Sequence, residues 1–571
     1  MRTHRLKKTL RSAGTSRSAG ARPNSNFLTA SLLLALGFAA PVHAANFFVY
    51  KTGDSGHGTL RQAVLDANAR PGSHTIWFLL PPHSTIKLTS GQLALTGPSV
   101  TVQGLGRSWL TISGNHHSRI FDVEAGSLTL NDLTLRDGLA QGDATNSYDQ
   151  AGGAIRVGAL PAPLAPEQFV AELAEAHATA QTAMNSDKSA RANRLGGPMA
   201  THKAAFPQAQ SSTAPLALTV NRVALLDNRA DAPDLSAGGA IYTEGGATLV
   251  VRDSQFSGNS TAFAGGAIFT MGSADFSPVS AGNFDIEGSL FTGNHIDQNG
   301  AEPGQGGAFE SYGPGGNIRT SIFRDNVINE APPEVSSEGE GGAIALALLS
   351  LPIRIDSTEI SHNSIVLRPY VFSEGAGLIS EQEIEGDITA LTVSNSTISG
   401  NQSNSGAGIE VSSNVFLINT TIADNLGSGP DFDGPGDAVD VVKVDGLFNA
   451  ESTLIANPDT EVDLFFYRGA ANLGAVSKSL VLTPDPAGPP LPPDTIIGID
   501  PQLAPLAYNG GPTRTQALQA GSVAIDAGSN PLHSHFDQRG QPFPRVIGPA
   551  ADIGAFERCP WSHSRCDGDR D

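Results

Sequence analysis

A short polar-apolar pattern recurs through the middle of this chain. A hydroxyl residue is followed two positions on by a large apolar residue, and three positions later by Asn. It reads Ser254-x-Phe256-x-x-Asn259, then Ser289-x-Phe291-x-x-Asn294, Ser321-x-Phe323-x-x-Asn326 and Thr358-x-Ile360-x-x-Asn363. It continues as Ser396-x-Ile398-x-x-Asn401, Thr420-x-Ile422-x-x-Asn425 and Ser452-x-Leu454-x-x-Asn457. An eighth copy, Val223-x-Leu225-x-x-Asn228, lacks only the hydroxyl. The asparagines are 24 to 38 positions apart. A constant motif at unequal spacing means that a short element repeats while the loops between copies vary, which is the mark of a solenoid.

The flanking residues select the kind of solenoid. Thr248 to Phe256, Leu391 to Ile398 and Val415 to Ile422 alternate with period two and are rich in Val, Ile, Thr and Phe, which reads as strand. A second motif interleaves with the first: Gly152-Gly-Ala-Ile155, Gly238-Gly-Ala-Ile241, Gly265-Gly-Ala-Ile268, Gly306-Gly-Ala-Phe309 and Gly341-Gly-Ala-Ile344. Gly375-Ala-Gly-Leu378 and Gly406-Ala-Gly-Ile409 are looser copies. Glycine suits a bend where one coil crosses close to the next, and Gly or Asn suits a left-handed corner. The expected fold is all-β: a right-handed parallel β-helix of about ten coils. Asn228, Asn259, Asn294, Asn326, Asn363, Asn401, Asn425 and Asn457 would stack inside it as a ladder.

The paired motifs resemble the polymorphic outer-membrane protein repeat, a right-handed parallel β-helix of the pectin-lyase-like class. Gly58-Thr-Leu-Arg-Gln-Ala-Val-Leu-Asp-Ala-Asn68 resembles the N-terminal CSLREA segment of bacterial secreted β-helix proteins, with Gly58-Thr59 where that segment has Cys-Ser. Asp500-Pro-Gln-Leu, Asn509-Gly-Gly-Pro-Thr513, Gly521-Ser-Val-Ala-Ile-Asp526, Asp537-Gln-Arg-Gly540 and Asp552-Ile-Gly-Ala-Phe-Glu557 together resemble the choice-of-anchor Q region. The resemblance implies an extracellular or surface β-helix.

Residues 1–44 read as a signal peptide. Seven Lys/Arg and no acidic residue precede an apolar run from Phe27 to Ala40, followed by Val42-His-Ala44. Export to the surface or beyond follows as an expectation. The whole chain carries a net charge of −21, and its loss of residues 1–44 leaves −28. So acidic a protein repels nucleic acid and polyanionic sugars.

The mature chain divides into an N-terminal cap and first coils (45–156), an Ala/Pro-rich insertion (157–215) and the repeats (216–473). A Pro-rich connector (474–498), a C-terminal region (499–557) and a tail (558–571) follow. Leu60, Ala63, Val64 and Ala67 share one helical face, so 59–68 is expected as a short capping helix. The insertion reads as largely disordered or helical and dispensable for folding. Residues 499–557 are expected to cap the far end of the stack.

Chemistry is thin. Inverting hydrolases of the polygalacturonase type resemble one another in Asn-Thr-Asp, Asp-Asp, Gly-His-Gly and Arg-Ile-Lys segments, which cluster carboxylates for acid and base work. This chain has only Gly56-His-Gly58, ahead of the repeats. No catalytic or cofactor-binding residue is singled out. Asp431, Asp433 and Asp437 form a Gly-rich acidic loop of the kind that binds calcium. His533-x-His535-x-Asp537 has ligand types for zinc but stands as a single cluster. Cys559 and Cys566 are the two cysteines, and in an exported chain they are expected to pair. The leading reading is a structural, adhesive or glycan-binding surface module with an extracellular glycan or surface protein as partner. The rivals are a polysaccharide lyase or hydrolase with a non-standard site, and an autotransporter-like passenger lacking its barrel.

Overall fold

The computed structural model describes residues 44–141, 150–158, 216–231, 236–272, 283–298, 304–313, 315–329, 339–348, 351–366, 373–382, 390–427, 440–467 and 469–559. These residues all belong to the unit His43–Asp571. They form a parallel β-helix. A full coil has four strands, as in Ile268–Met271, Asn283–Glu287, Leu290–Thr292 and His295–Asp297. Strands in the same place on successive coils pair in parallel and build four rows. The first and second rows form one 22-stranded sheet, the third row is 13 strands deep and the fourth is 8 deep. The Asn motif marks eight coils. The stack is deeper because coils at both ends close without an Asn corner.

Each half of the motif has a place. Its apolar residue points inward from the third row, where Leu225, Phe256, Phe291, Phe323, Ile360, Ile398 and Ile422 stand in register; in the last copy the inward residue is Ile455, and Leu454, expected from the sequence, faces out. Phe256, Phe291 and Phe323 stack with ring centroids 4.6 and 4.4 Å apart and planes within 4° and 2° of parallel. In the first seven copies the left-handed corner falls on the residue before the Asn (Asp227, Gly258, Gly293, Asp325, His362, Gly400, Asp424), not on the Asn itself. That residue turns the chain outward, which frees the Asn side chain to point in. In the GGA[IF] motif, the second glycine is forced by contact between coils. A methyl group on Gly266 would lie 2.0 Å from the Gly307 carbonyl oxygen.

The helix α1 (Leu60–Asn68) buries Leu60, Ala63, Val64 and Ala67 and starts at a Thr59 N-cap. Asn68 bonds the Ala94 carbonyl and the Thr96 amide, so α1 covers the first strand of the first row, which would otherwise show an open edge. The insertion lies, from 159 on, outside the described residues. It leaves between Ile155–Val157 and Ala217–Asn221, the turn between first- and second-row strands of one coil.

Two expectations need correction. The Pro-rich stretch 474–498 is not a mere connector, because Leu473–Ser477, Leu480–Val481 and Ile496–Ile497 continue the second and third rows. The C-terminal region does not simply cap the stack. It folds back over the outer side of the third row. Arg514 bonds Glu359 and Ser361, Thr397 bonds Gln538, and the Ala555 amide bonds Thr421 Oγ1. Leu518, Ala524 and Ile553 pack on Leu454, Ala456 and Leu480. The outward residues there are small or able to pair (Thr397 and Ser399, Thr421 and Ala423), so another segment can lie close against them.

Candidate functional site

The eight asparagines are buried and bonded in one chain. Each Oδ1 from Asn259 to Asn457 accepts both the backbone N–H and the side-chain amide of the preceding copy, with amide distances of 2.8 to 3.3 Å. The other amide hydrogen bonds a core carbonyl, as from Asn294 to Phe256. At the far end, Asp463 replaces a ninth Asn. Its Oδ1 accepts the N–H and the amide of Asn457, each at 2.9 Å, and Oδ2 accepts the Thr483 N–H at 2.8 Å. A carboxylate has only acceptors, so it ends a chain of donors. The motif's hydroxyl forms a second ladder, a role the sequence reading did not assign. Ser254, Ser289, Ser321, Thr358 and Ser396 each accept the backbone N–H of the corresponding residue one coil back.

Burial pushes Asp463 up to about 6 despite its hydrogen bonds. A folded pKa above the ordinary value stabilises the fold at low pH, and that stability is lost as pH rises through the folded value. Burial pushes Glu244 to about 7 and Glu557 to about 8, so both add in the same sense. The melting temperature is therefore expected to fall between pH 4 and pH 8. Asp463 accounts for roughly 2–3 kcal/mol of this change. A pH series of thermal melts checks it, and a flat or rising profile overturns it.

The first row carries an outward column that was not singled out in the sequence. Asp122, Arg156, Tyr242, Phe269, Glu310, Ala345, Ile379, Glu410 and Lys443 stand in register, one per coil. The signal was there: Arg156 to Glu410 are each the residue after a GGA[IF] or GAG[LI] motif. Although they point outward, most of these side chains are buried. Arg156 bonds Asp122 at 2.8 Å and Glu244 at 3.2 Å, and Tyr242 donates to Glu244 at 3.0 Å. Lys443 bridges Glu374 and Glu410 at 2.9 and 3.4 Å. Gln305 donates to Glu340. Burial, then the charge of Glu340, holds Glu310 well above the usual carboxylate range.

The outer side of the second row differs. It is open to solvent, and its character changes along the axis. From Arg252 to Arg319 it is a charged ladder that neutralises itself: Arg319 pairs with Asp285 at 2.9 Å and with Glu287 at 3.0 Å, and Arg252 pairs with Asp285. From Asn46 to Asn221 its outward positions are Ser, Thr, Asn, Gln, Ala, Phe and Trp.

Asp431, Asp433 and Asp437 lie outside the described residues. Among the described residues, no group of three or more His, Cys, Asp or Glu is arranged to hold a metal. Asp537, of the His533/His535 cluster, is buried and bonds Arg539 and the Glu557 N–H. Cys559 is disulfide-bonded, and Cys566 lies outside the described residues.

No family model and no curated protein matches the chain. Among solved structures, one match is the crystal structure of the pectate lyase Pel9A. It is 13% identical, covers 90% of this chain and 96% of that one, and has a TM-score of 0.27. A likeness that distant says nothing about activity.

Proposed function

We propose that the chain is an exported, non-catalytic β-helix module that binds an extended glycan at or outside the cell surface. The observation that carries this reading is the pair of contrasting outer faces. From Asn46 to Asn221 the second-row face is open and uncharged, with hydroxyls, amides and aromatic rings. The carboxyls on the first-row face, by contrast, are buried and largely tied to Arg, Lys, Tyr or Gln partners. A rigid, preorganised surface loses little entropy on binding. A screen of residues 45–571 against a glycan array tests the reading, with saturable binding as the expected result and no binding to any glycan as the result that removes it.

One observation favours the polysaccharide lyase or hydrolase reading. Glu310 lies near a second carboxyl, Glu340, and burial raises its pKa well above the usual carboxylate range; such a pair can serve as acid and base. Reducing-end and unsaturated-product assays on the mature chain are expected to show no turnover of pectin, polygalacturonate or alginate. Product formation that is lost in Glu310→Gln would establish the enzyme instead.

A further inference from the structure

The uncharged part of the second-row face is a regular array. Thr75, Thr101, Thr129 and Thr219 stand in register on four successive coils. Ser73, Ser99 and Ser127 form a parallel column beside them. A third column runs Phe48, Trp77, Gln103, Asn131 and Asn221. Neighbouring coils are about 4.8 Å apart, and positions two residues apart along a strand are separated by about 6.6 Å. All outward positions of these five strands lack charge. Charges border it: Asp132 and Arg222 at the edge of the face pair with each other at 2.8 Å, and Arg252, one coil beyond Asn221, pairs with Asp285.

The third column is preorganised. The Asn221 amide donates to Asn131 at 2.9 Å and the Asn131 amide to Gln103 at 3.1 Å. Trp77 is fixed by its indole N–H to Asn46 Oδ1 at 3.0 Å; the residue is 42% exposed, beside Phe48 at 52%. The seven hydroxyls differ: none makes a side-chain hydrogen bond, so each is free to donate and accept outward. A fixed aromatic surface continuous with an amide row and free hydroxyl columns suits a ligand with apolar ring faces and many hydroxyls. The coil spacing approximates the length of one sugar ring in an extended chain.

We infer that a neutral, extended polysaccharide lies along the helix axis on this face, about one sugar per coil from Phe48 to Asn221. Its first rings stack on Phe48 and Trp77, and its hydroxyls bond the Thr and Ser columns and the amide row. Uronate polymers are disfavoured, because no cation on the face answers their charge and the mature chain carries −28. The inference rests on the glycan-binding reading above and names the sugar class and the surface.

The test uses residues 45–571 and neutral gluco-, xylo-, manno- and chito-hexasaccharides, with hexagalacturonate as the charged comparison. Calorimetry and tryptophan fluorescence report binding. At least one neutral probe is expected to bind and to perturb the fluorescence, with hexagalacturonate tenfold weaker or worse. Trp77→Ala and the double variant Thr101→Val, Thr129→Val should each weaken binding about tenfold with unchanged melting temperature. The valines keep the β-branched shape and remove only the hydroxyls, so they separate recognition from folding. If the neutral probe binds all variants equally, or hexagalacturonate is preferred, this surface is not the site, while the glycan-binding reading stands. If no glycan of either class binds, that reading fails and the inference with it.

Discussion

Phe291→Ala is expected to destabilise the protein by about 3–5 kcal/mol, the usual cost of emptying a buried aromatic position. Phe291 is fully buried, stacked between Phe256 and Phe323 on the coils either side. Its loss therefore strips two rings of a face at once. A solenoid coil touches only its neighbours, so there is little freedom to collapse around the gap without shifting the ladder register. Denaturant unfolding with tryptophan fluorescence and circular dichroism measures the change. Phe291→Leu should recover more than half of it, because the inward column accepts Leu at Leu225 and the γ-branched side chain refills much of the space. A loss below 1 kcal/mol for the alanine variant would mean that the stack contributes little.

Asn294→Leu is expected to cost a similar amount, about 3–5 kcal/mol, for a different reason. Leucine keeps the branching at Cγ but is bulkier, so some overpacking adds to the lost hydrogen bonds. The leucine would leave the Asn259 N–H and one Asn259 amide hydrogen without an acceptor in the core, and would remove the side-chain bond to the Phe256 carbonyl. Each orphaned buried group costs about 1–3 kcal/mol. Asn457→Leu at the ladder's end orphans the N–H and one amide hydrogen of Asn425 and removes the side-chain donor to Asp463, which keeps the backbone N–H of residue 457. The two variants are expected to be comparably unstable. If Asn294→Leu melts like the wild type, the ladder is ornamental rather than structural.

The column of buried outward residues on the first row shows how local signals mislead. Arg156, Tyr242 and Glu310 each follow a glycine-rich motif, a position to which the sequence pattern attached no role. The pairing of Arg156 with Asp122 and Glu244 joins residues 34 and 88 positions apart. No spacing rule reaches that far when an insertion of variable length lies between coils. The same holds for Asp463. It stands only six residues after Asn457, far short of a full repeat, yet it takes the place of a ninth asparagine.

The sequence by itself determined the repeat, the strand character, the inward apolar column, the asparagine ladder and the capping helix. Each of these follows from a local pattern, copied coil after coil, that satisfies backbone geometry and burial without reference to anything distant. The tertiary structure alone decided the coil register across variable loops, and with it which side chains become neighbours. Through that register it placed Asp463 at the ladder's end, paired Arg156 with Glu244, and aligned Thr75, Thr101, Thr129 and Thr219 across the gap of the insertion. It also laid the C-terminal region along the third row rather than over the end. That outcome depends on the small outward residues of several coils acting together, and no single segment of the chain carries it.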